Sequence, residues 1–293
     1  MMSGLMRFVP QAEPASEVAI HNIQKLIDNS NKFVVITGAG LSTESGIPDY
    51  RSERVGQFAR TPHRPIQHHE FMSSEYFRRR YWARNYVAHP RFNSAPCNIS
   101  HLTLAEWEKK TTKFQWMITQ NVDALHLKAG STRLTELHGS AKTVVCMECK
   151  QKYPRVEIQT MIKELNPNWR IEDVGEMKPD GDIDIPDSAL INFRIPYCQS
   201  CGERSILKTD VVFFGDNVPR QAVDECYEHM EQSDLVLVFG SSLTVLSGFR
   251  FVHFASMRRM PIVIVNIGKT RADNLGTVKV NAKCSEVITA LRV

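Results

Sequence analysis

The sequence predicts an α/β fold, a doubly wound parallel sheet with a smaller inserted domain, and three observations predict it. First, short continuous apolar runs rich in β-branched and aromatic residues recur at 33–36, 114–118, 211–214, 235–239 and 262–265. Strands buried on both faces read this way, because neither face meets water. Second, helical patterns separate several of these runs, and buried strands alternating with helices imply a parallel sheet covered on both sides. Third, two C-x-x-C pairs, Cys146 with Cys149 and Cys198 with Cys201, open and close a stretch that breaks the alternation.

The elements follow in order. Residues 1–15 read as a flexible N-terminus, with no apolar run suited to a secretory signal and no convincing transit-peptide pattern. Ser16 is placed to cap a helix in which Ile20, Ile23, Leu26 and Ile27 recur at helical spacing, and Asn29, Ser30 and Asn31 end it. The run 33–36 is the first strand. Residues 54–110 hold no strand pattern; rich in Arg, His and aromatics, they read as loops and helices. After the strand at 114–118 comes the cysteine-bounded stretch. Val223, Cys226, Tyr227 and Met230 mark one later helix, and 248–259 another.

Composition narrows the function classes. At about 150 residues per domain, 293 residues give two domains or one large α/β domain with an insertion. Hydrophobic residues make up 42% and charged residues 23%, which excludes disorder as the dominant state. The longest apolar run has five residues, too short for a membrane helix. A net charge of +4 is too weak to argue for nucleic acid. Seven cysteines are too few for a disulfide scaffold, and paired C-x-x-C reads as metal first in a reducing compartment.

The first strand runs into Gly38, Ala39 and Gly40. Glycines there let backbone approach a pyrophosphate, and a following helix start attracts the anion. By itself this motif fits a tight strand-to-helix turn equally well. Thr43 stands where a dehydrogenase fingerprint needs its third glycine, and 55–69 hold no Asp or Glu to grip a ribose, so a dehydrogenase site is disfavoured. The longer context changes the balance. The segment 38–51 reads GAGLSTESGIPDYR, 119–126 reads TQNVDALH, and 136–139 reads ELHG. Gly240-Ser241-Ser242 and Asn266-Ile267-Gly268 each follow a predicted strand. Ligands of open α/β sheets bind outside the carboxyl ends of the strands, so one cleft can collect these motifs.

On these motifs the chain resembles the sirtuins, NAD-dependent protein deacylases, over nearly its whole length from about Ser16. Within the family it resembles class II, and a mitochondrial subtype through Arg64-Pro65-Ile66-Gln67-His68, residues 80–85 and Pro179-Asp180-Gly181-Asp182. The resemblance implies a discontinuous Rossmann-like NAD-binding domain of residues 16–53, 111–145 and 202–293. It implies a cofactor loop with a helical module at 54–110, and a zinc-binding module at 146–201. Gly38, Ala39, Gly40, Ser42, Thr43 and Pro48 would belong to the NAD-binding loop, the first three near the phosphates. Asp49, Tyr50 and Arg51 would lie by the nicotinamide ribose; Tyr50 replaces the Phe of most members. Gln120, Asn121, Val122 and Asp123 would shape the nicotinamide pocket, Asn121 and Asp123 with catalytic roles. Gly240, Ser241 and Ser242 would contact phosphate and ribose, Asn266, Ile267 and Gly268 the adenosine ribose side, and Cys284 the adenine. Phe214, Gly215, Asp216 and Val245 would pair with an extended substrate peptide.

His138 matches the family's general base. In the family reaction the acyl-lysine carbonyl oxygen attacks the ribose carbon that nicotinamide leaves, and a ribose hydroxyl must then lose a proton. Histidine titrates near neutral pH and can take it. Most lone histidines are structural, and the other nine are left in that class; the Leu-His-Gly context sets His138 apart.

The four cysteines Cys146, Cys149, Cys198 and Cys201 predict one closed, structural zinc site. Redox C-x-x-C or plain buried cysteines fit two pairs less well. Between the pairs lie 48 residues, and 166–196 form a long acidic loop with seven carboxylates against one lysine from 172 to 187. Its Asp180, Asp182 and Asp184 start a calcium-loop template that fails at Ile185. A solvated surface loop is the default; ordered loops this long are usually functional, and a lid over the acyl channel is the functional expectation. The Tyr-x-x-Arg spacing of Tyr81 and Arg84 resembles the acyl-recognition pair of the family's class II members, and an arginine beside a phenol can bind a terminal carboxylate. Four arginines within 78–84 also fit a solvated helix face.

The leading expectation is an NAD-dependent protein-lysine deacylase of lipoamidase or biotinylase type. It would act on acyl-lysines of proteins, metabolic enzymes by resemblance, as a monomer in the mitochondrial matrix, with one structural zinc and no nucleic-acid or membrane partner. The alternatives are ADP-ribosylation of proteins at the same site, a non-enzymatic NAD or ADP-ribose-binding scaffold, and a zinc-ribbon nucleic-acid binder.

Overall fold

A computed structural model of the chain describes residues 6–61, 64–171 and 175–293. Its main sheet has six strands, all parallel: β1 Phe33–Thr37, β2 Phe114–Thr119, β3 Leu134–Glu136, β7 Leu235–Phe239, β8 Ile262–Val265 and β9 Val278–Val280. Their spatial order is β3-β2-β1-β7-β8-β9. The chain winds outward from β1 in one direction, then returns to β7 and winds outward in the other. The carboxyl ends of β1 and β7 therefore flank the switch point where a doubly wound sheet opens a crevice.

Both central strands are buried along their whole length. Alternate residues feed two cores. Phe33 and Val35 face a cluster with Ile23, Ile27, Leu104, Trp107 and Val287, supplied by the helices Glu17–Asn29, Ile99–Lys110 and Cys284–Ala290. Val34 and Ile36 face another with Val223, Met230, Phe251 and Val252, supplied by Arg220–Glu231 and Leu246–Met257. Ser16 caps the first of these helices, accepting from the Ala19 N–H at 3.2 Å.

A second sheet has three antiparallel strands, ordered β5-β4-β6: β4 Gly139–Cys146, β5 Lys152–Pro154 and β6 Leu207–Val211. The expected strand at 211–214 is corrected by this pairing. Val211 ends an antiparallel strand of the small sheet, and the chain then leaves toward the cleft through Gly215 at φ +80°. The strands β4 and β6 pair with each other in the small sheet, although 139–145 and 207–211 lie in stretches expected to belong to the large domain. Residues 54–110 are helical at Gln57–Arg60, His68–Ser73, Glu75–Ser94 and Ile99–Lys110. The short edge strands β3 and β9 were not legible, being three residues long with no continuous apolar run.

Two segments are more ordered than their composition predicts. Phe8 is buried, under the Arg60 guanidinium at 4.8 Å, and Arg7 and Arg60 both pair with Glu176. The acidic loop buries Met177, Ile183, Leu190 and Phe193, the last two in one core with Trp82, so it is packed rather than solvated. Its residues Glu172, Asp173 and Val174 lie outside the described residues.

Candidate active site

A cavity of about 520 Å³ opens at the switch point. It is bounded by Gly38, Ala39, Gly40 and Ser42 after β1, and by Gln120, Asn121, Val122 and Asp123 after β2. Gly240, Ser241 and Ser242 after β7 and Asn266, Ile267 and Gly268 after β8 complete this side. Asp49, Tyr50, Arg51, His138, Phe214, Gly215, Asp216 and Val245 line the same space. The two glycine turns touch: a Cβ on Gly38 would lie 2.7 Å from the Ser241 Cβ, and one on Gly40 would lie 2.9 Å from the Gly240 carbonyl oxygen. Only glycine lets the β1 and β7 ends meet this closely.

The polar groups on the floor are tied down. The Asn121 amide donates to the Gly38 carbonyl and to Ser42 Oγ, each at 3.1 Å. Asp123 accepts from Ser42 Oγ at 2.7 Å and from the Leu125 N–H at 2.9 Å. Burial raises the Asp123 carboxyl, against those two bonds. Gln120 Nε2 donates to Ser241 Oγ at 2.8 Å, linking the ends of β2 and β7. Burial likewise raises Asp49, while the Ser52 hydroxyl and N–H bonds oppose it. The Tyr50 ring meets Phe214 edge-on at 6.0 Å, and burial pushes its phenol up.

His138 stands at the junction of β3 and β4. Its Nδ1 lies 2.9 Å from the Gln120 carbonyl oxygen, which accepts only from an N–H; Nδ1 therefore carries the proton. Nε2 then has a lone pair, and the Ser247 hydroxyl sits 2.8 Å from it. Burial lowers the imidazole's pKa, outweighing the Gln120 bond, so it is neutral at pH 7. A neutral ring with one nitrogen anchored and the other offered to a hydroxyl is set up to remove a hydroxyl proton.

Five expected residues lie off this cavity. Thr43 and Cys284 border a small adjoining hollow with Val9 and Pro10. Pro48 borders neither space. The Tyr81 hydroxyl is bound to Thr209 Oγ1 at 2.5 Å. Arg84 is only 4% exposed: it grips Asp182 at 2.8 and 2.7 Å and Asp184 at 2.6 Å. Other cavity residues escaped sequence reasoning, among them Ser247, Arg250 and Lys269, while Pro179 and Asp180 of the loop expected over the acyl channel line the cavity too. Ser247 follows the recognised Gly240 motif by only a few residues, which is the one signal that could have found it.

The four cysteines converge although 48 residues separate the pairs. Their sulfurs all lie within 4.8 Å of one another, with Cys149 to Cys198 at 3.7 Å and Cys146 to Cys201 at 4.0 Å. Sulfurs about 2.3 Å from one tetrahedral zinc stand about 3.8 Å apart. The set fits a closed, structural zinc site with no position left for a substrate.

Residues 38–247 match the Sir2 family, most of the chain. The chain belongs to the Sir2 family. It is 50% identical over 284 residues to the NAD-dependent protein deacylase sir-2.2 of Caenorhabditis elegans, covering 96% of this chain and 98% of that one. It is 48% identical over 281 residues to the human NAD-dependent protein lipoamidase sirtuin-4, mitochondrial, covering 96% and 88%. A solved Sir2 structure with a p53 peptide and NAD superposes at a TM-score of 0.70 with 28% identity, covering 92% and 95%. This sirtuin's sheet, switch-point cleft and four-cysteine module accord with that kinship. Its cleft also fits the family's cofactor: the glycine turns after β1 and β7 line the cavity, and Arg51, Arg250 and Lys269 supply positive charge on its wall.

Proposed function

We propose that the chain is an NAD-dependent protein-lysine deacylase, with the switch-point cavity as its active site. NAD, when bound, supplies the ribose carbon that nicotinamide leaves. In this reading Gly38, Ala39, Gly40, Gly240, Ser241 and Ser242 hold the diphosphate, Asn266 and Gly268 the adenosine side, and Asp49, Tyr50 and Arg51 cover the nicotinamide ribose. Asn121 and Asp123, fixed by Ser42, shape the nicotinamide pocket and keep water from it. An extended peptide lies between the backbone of Phe214, Gly215 and Asp216 and that of Val245, which directs its acyl-lysine inward. His138 Nε2 then takes a ribose-hydroxyl proton, displacing Ser247 as its hydroxyl partner.

The observation that carries this reading is the His138 arrangement, Nδ1 tied to Gln120 and Nε2 facing a hydroxyl in the cavity. The relatives named as deacylase and lipoamidase support it. Arg84 would meet an acyl end only once Asp182 and Asp184 release its guanidinium, and Tyr81 only once its hydroxyl leaves Thr209 Oγ1. A mitochondrial site of action, like that of sirtuin-4, and a monomeric state belong to the same proposal.

Following nicotinamide from NAD labelled in the adenosine half tests it. The reading expects release only with an acyl-lysine peptide, and label in a small acyl-ADP-ribose product. Label attached to protein, or tight NAD binding without release, contradicts it.

A further inference from the structure

We propose that Val9 and Pro10 form the outer wall of the adenine end of the cofactor site, and that Phe8 is the positioning residue that keeps this wall in place. The inference rests on the placement of the adenosine half of NAD given above and not on the deacylation chemistry.

After the short 3₁₀ turn Met6–Phe8, residues 9–15 have no regular structure, yet the segment is fixed at both ends. At one end the turn packs against the 3₁₀ helix Ala39–Ser45 that follows β1. Phe8 is 2% exposed there, under the Arg60 guanidinium, and Glu176 pairs with both Arg7 and Arg60. At the other end the Ala15 N–H donates to Glu286 Oε1 at 2.8 Å, in the first turn of the helix Cys284–Ala290. Ser285 Oγ of the same turn donates to Glu44 Oε1 at 2.8 Å. The segment and the cofactor turn after β1 thus share one support.

Between these anchors Val9 and Pro10, both half-buried, close a hollow with Thr43, Glu44, Lys283 and Cys284, the last expected beside the adenine. The hollow shares Gly40, Gly240, Asn266 and Ile267 with the large cavity, so the two spaces meet at the ends of β1, β7 and β8. The loop after β8 is held as well: Asn281 Oδ1 accepts the Gly268 N–H at 2.6 Å, and Lys279 Nζ donates to the Asn266 carbonyl at 2.7 Å. Asn281 and Lys283 share a surface groove with Val9 and Pro10. An adenosine seated at Asn266 and Gly268 has its base beside the hollow, where the edge of the ring meets the apolar side chains of Val9 and Pro10. The hollow has about 20 Å³ of room, so it takes the edge of a purine and not the whole base. A wall pinned at both ends costs little to order on binding, and covering the ring edge removes apolar surface from water.

Calorimetric titration with ADP-ribose, and separately with nicotinamide mononucleotide, tests this. The first ligand carries the adenosine half and the second lacks it. Phe8→Ala, and the paired variant Val9→Ala with Pro10→Ala, should each raise the ADP-ribose Kd at least about threefold and leave the mononucleotide Kd within about twofold. A paired variant with the wild-type Kd for ADP-ribose overturns the inference. So does an equal loss for both ligands, which a general loosening of the fold would give. The paired variant decides alone if Phe8→Ala does not fold, since its two residues are only half-buried. A wild type that does not bind ADP-ribose strikes the placement of NAD, and this inference with it. Nicotinamide release without deacylation strikes the deacylase reading alone.

Discussion

His138 shows how one side chain acquires a task. Position alone would leave it a buried histidine among ten in the chain. The Gln120 carbonyl fixes its tautomer, burial keeps it neutral, and Ser247 marks where a substrate hydroxyl would stand. The sign of the pH effect follows. Protonation removes the Nε2 lone pair, so kcat/KM should hold above the histidine's pKa and fall as pH drops through it. Because burial lowers that pKa, the fall should be centred below the ordinary value of 6.5. His138→Ala should lose roughly 10²- to 10⁴-fold in acyl transfer, together with this acid limb. A pH–rate profile of both proteins checks it; an unchanged limb in the variant would assign the titration elsewhere. The Leu-His-Gly signal made His138 legible in the sequence. Ser247 was not, since its role depends on a contact across 109 residues of chain.

At the scale of elements, the four-cysteine module and the acidic loop were legible to different degrees. Ligand spacing is local, so each C-x-x-C pair was visible, and the fold had only to bring the pairs together. The loop's composition spoke for solvent, yet Arg84 reaches Asp182 and Asp184 from about a hundred residues away and draws the segment into a core with Trp82 and Phe193. No local pattern encodes such a pairing. The small sheet depends on the metal site as well: Cys146 ends β4, and Cys198 packs in the same core as Val144 and Leu207. Structural zinc sites contribute on the order of 10 kcal/mol to folding. Metal analysis should find one zinc per chain, and Cys198→Ser or chelation should lower Tm sharply. A metal-free protein with unaltered Tm would contradict the structural assignment.

For the whole molecule, the sheet was legible where its strands are central. The runs at β1, β2, β7 and β8 are buried on both faces or nearly so, and continuous apolar sequence follows from that environment. Edge strands β3 and β9 and the polar β6 carry no such mark; their pairing is set by the backbone and by neighbours distant in sequence. What the chain order does dictate is that β1 and β7 become neighbours, so motifs about 200 residues apart in sequence share one cleft. The central claim is that this cleft couples nicotinamide release to removal of an acyl group from lysine. The stoichiometry of the two products tests it most directly. Wild-type protein with NAD and an acyl-lysine peptide should release one nicotinamide for each lysine freed. Nicotinamide released with the acyl-lysine left intact would contradict the account.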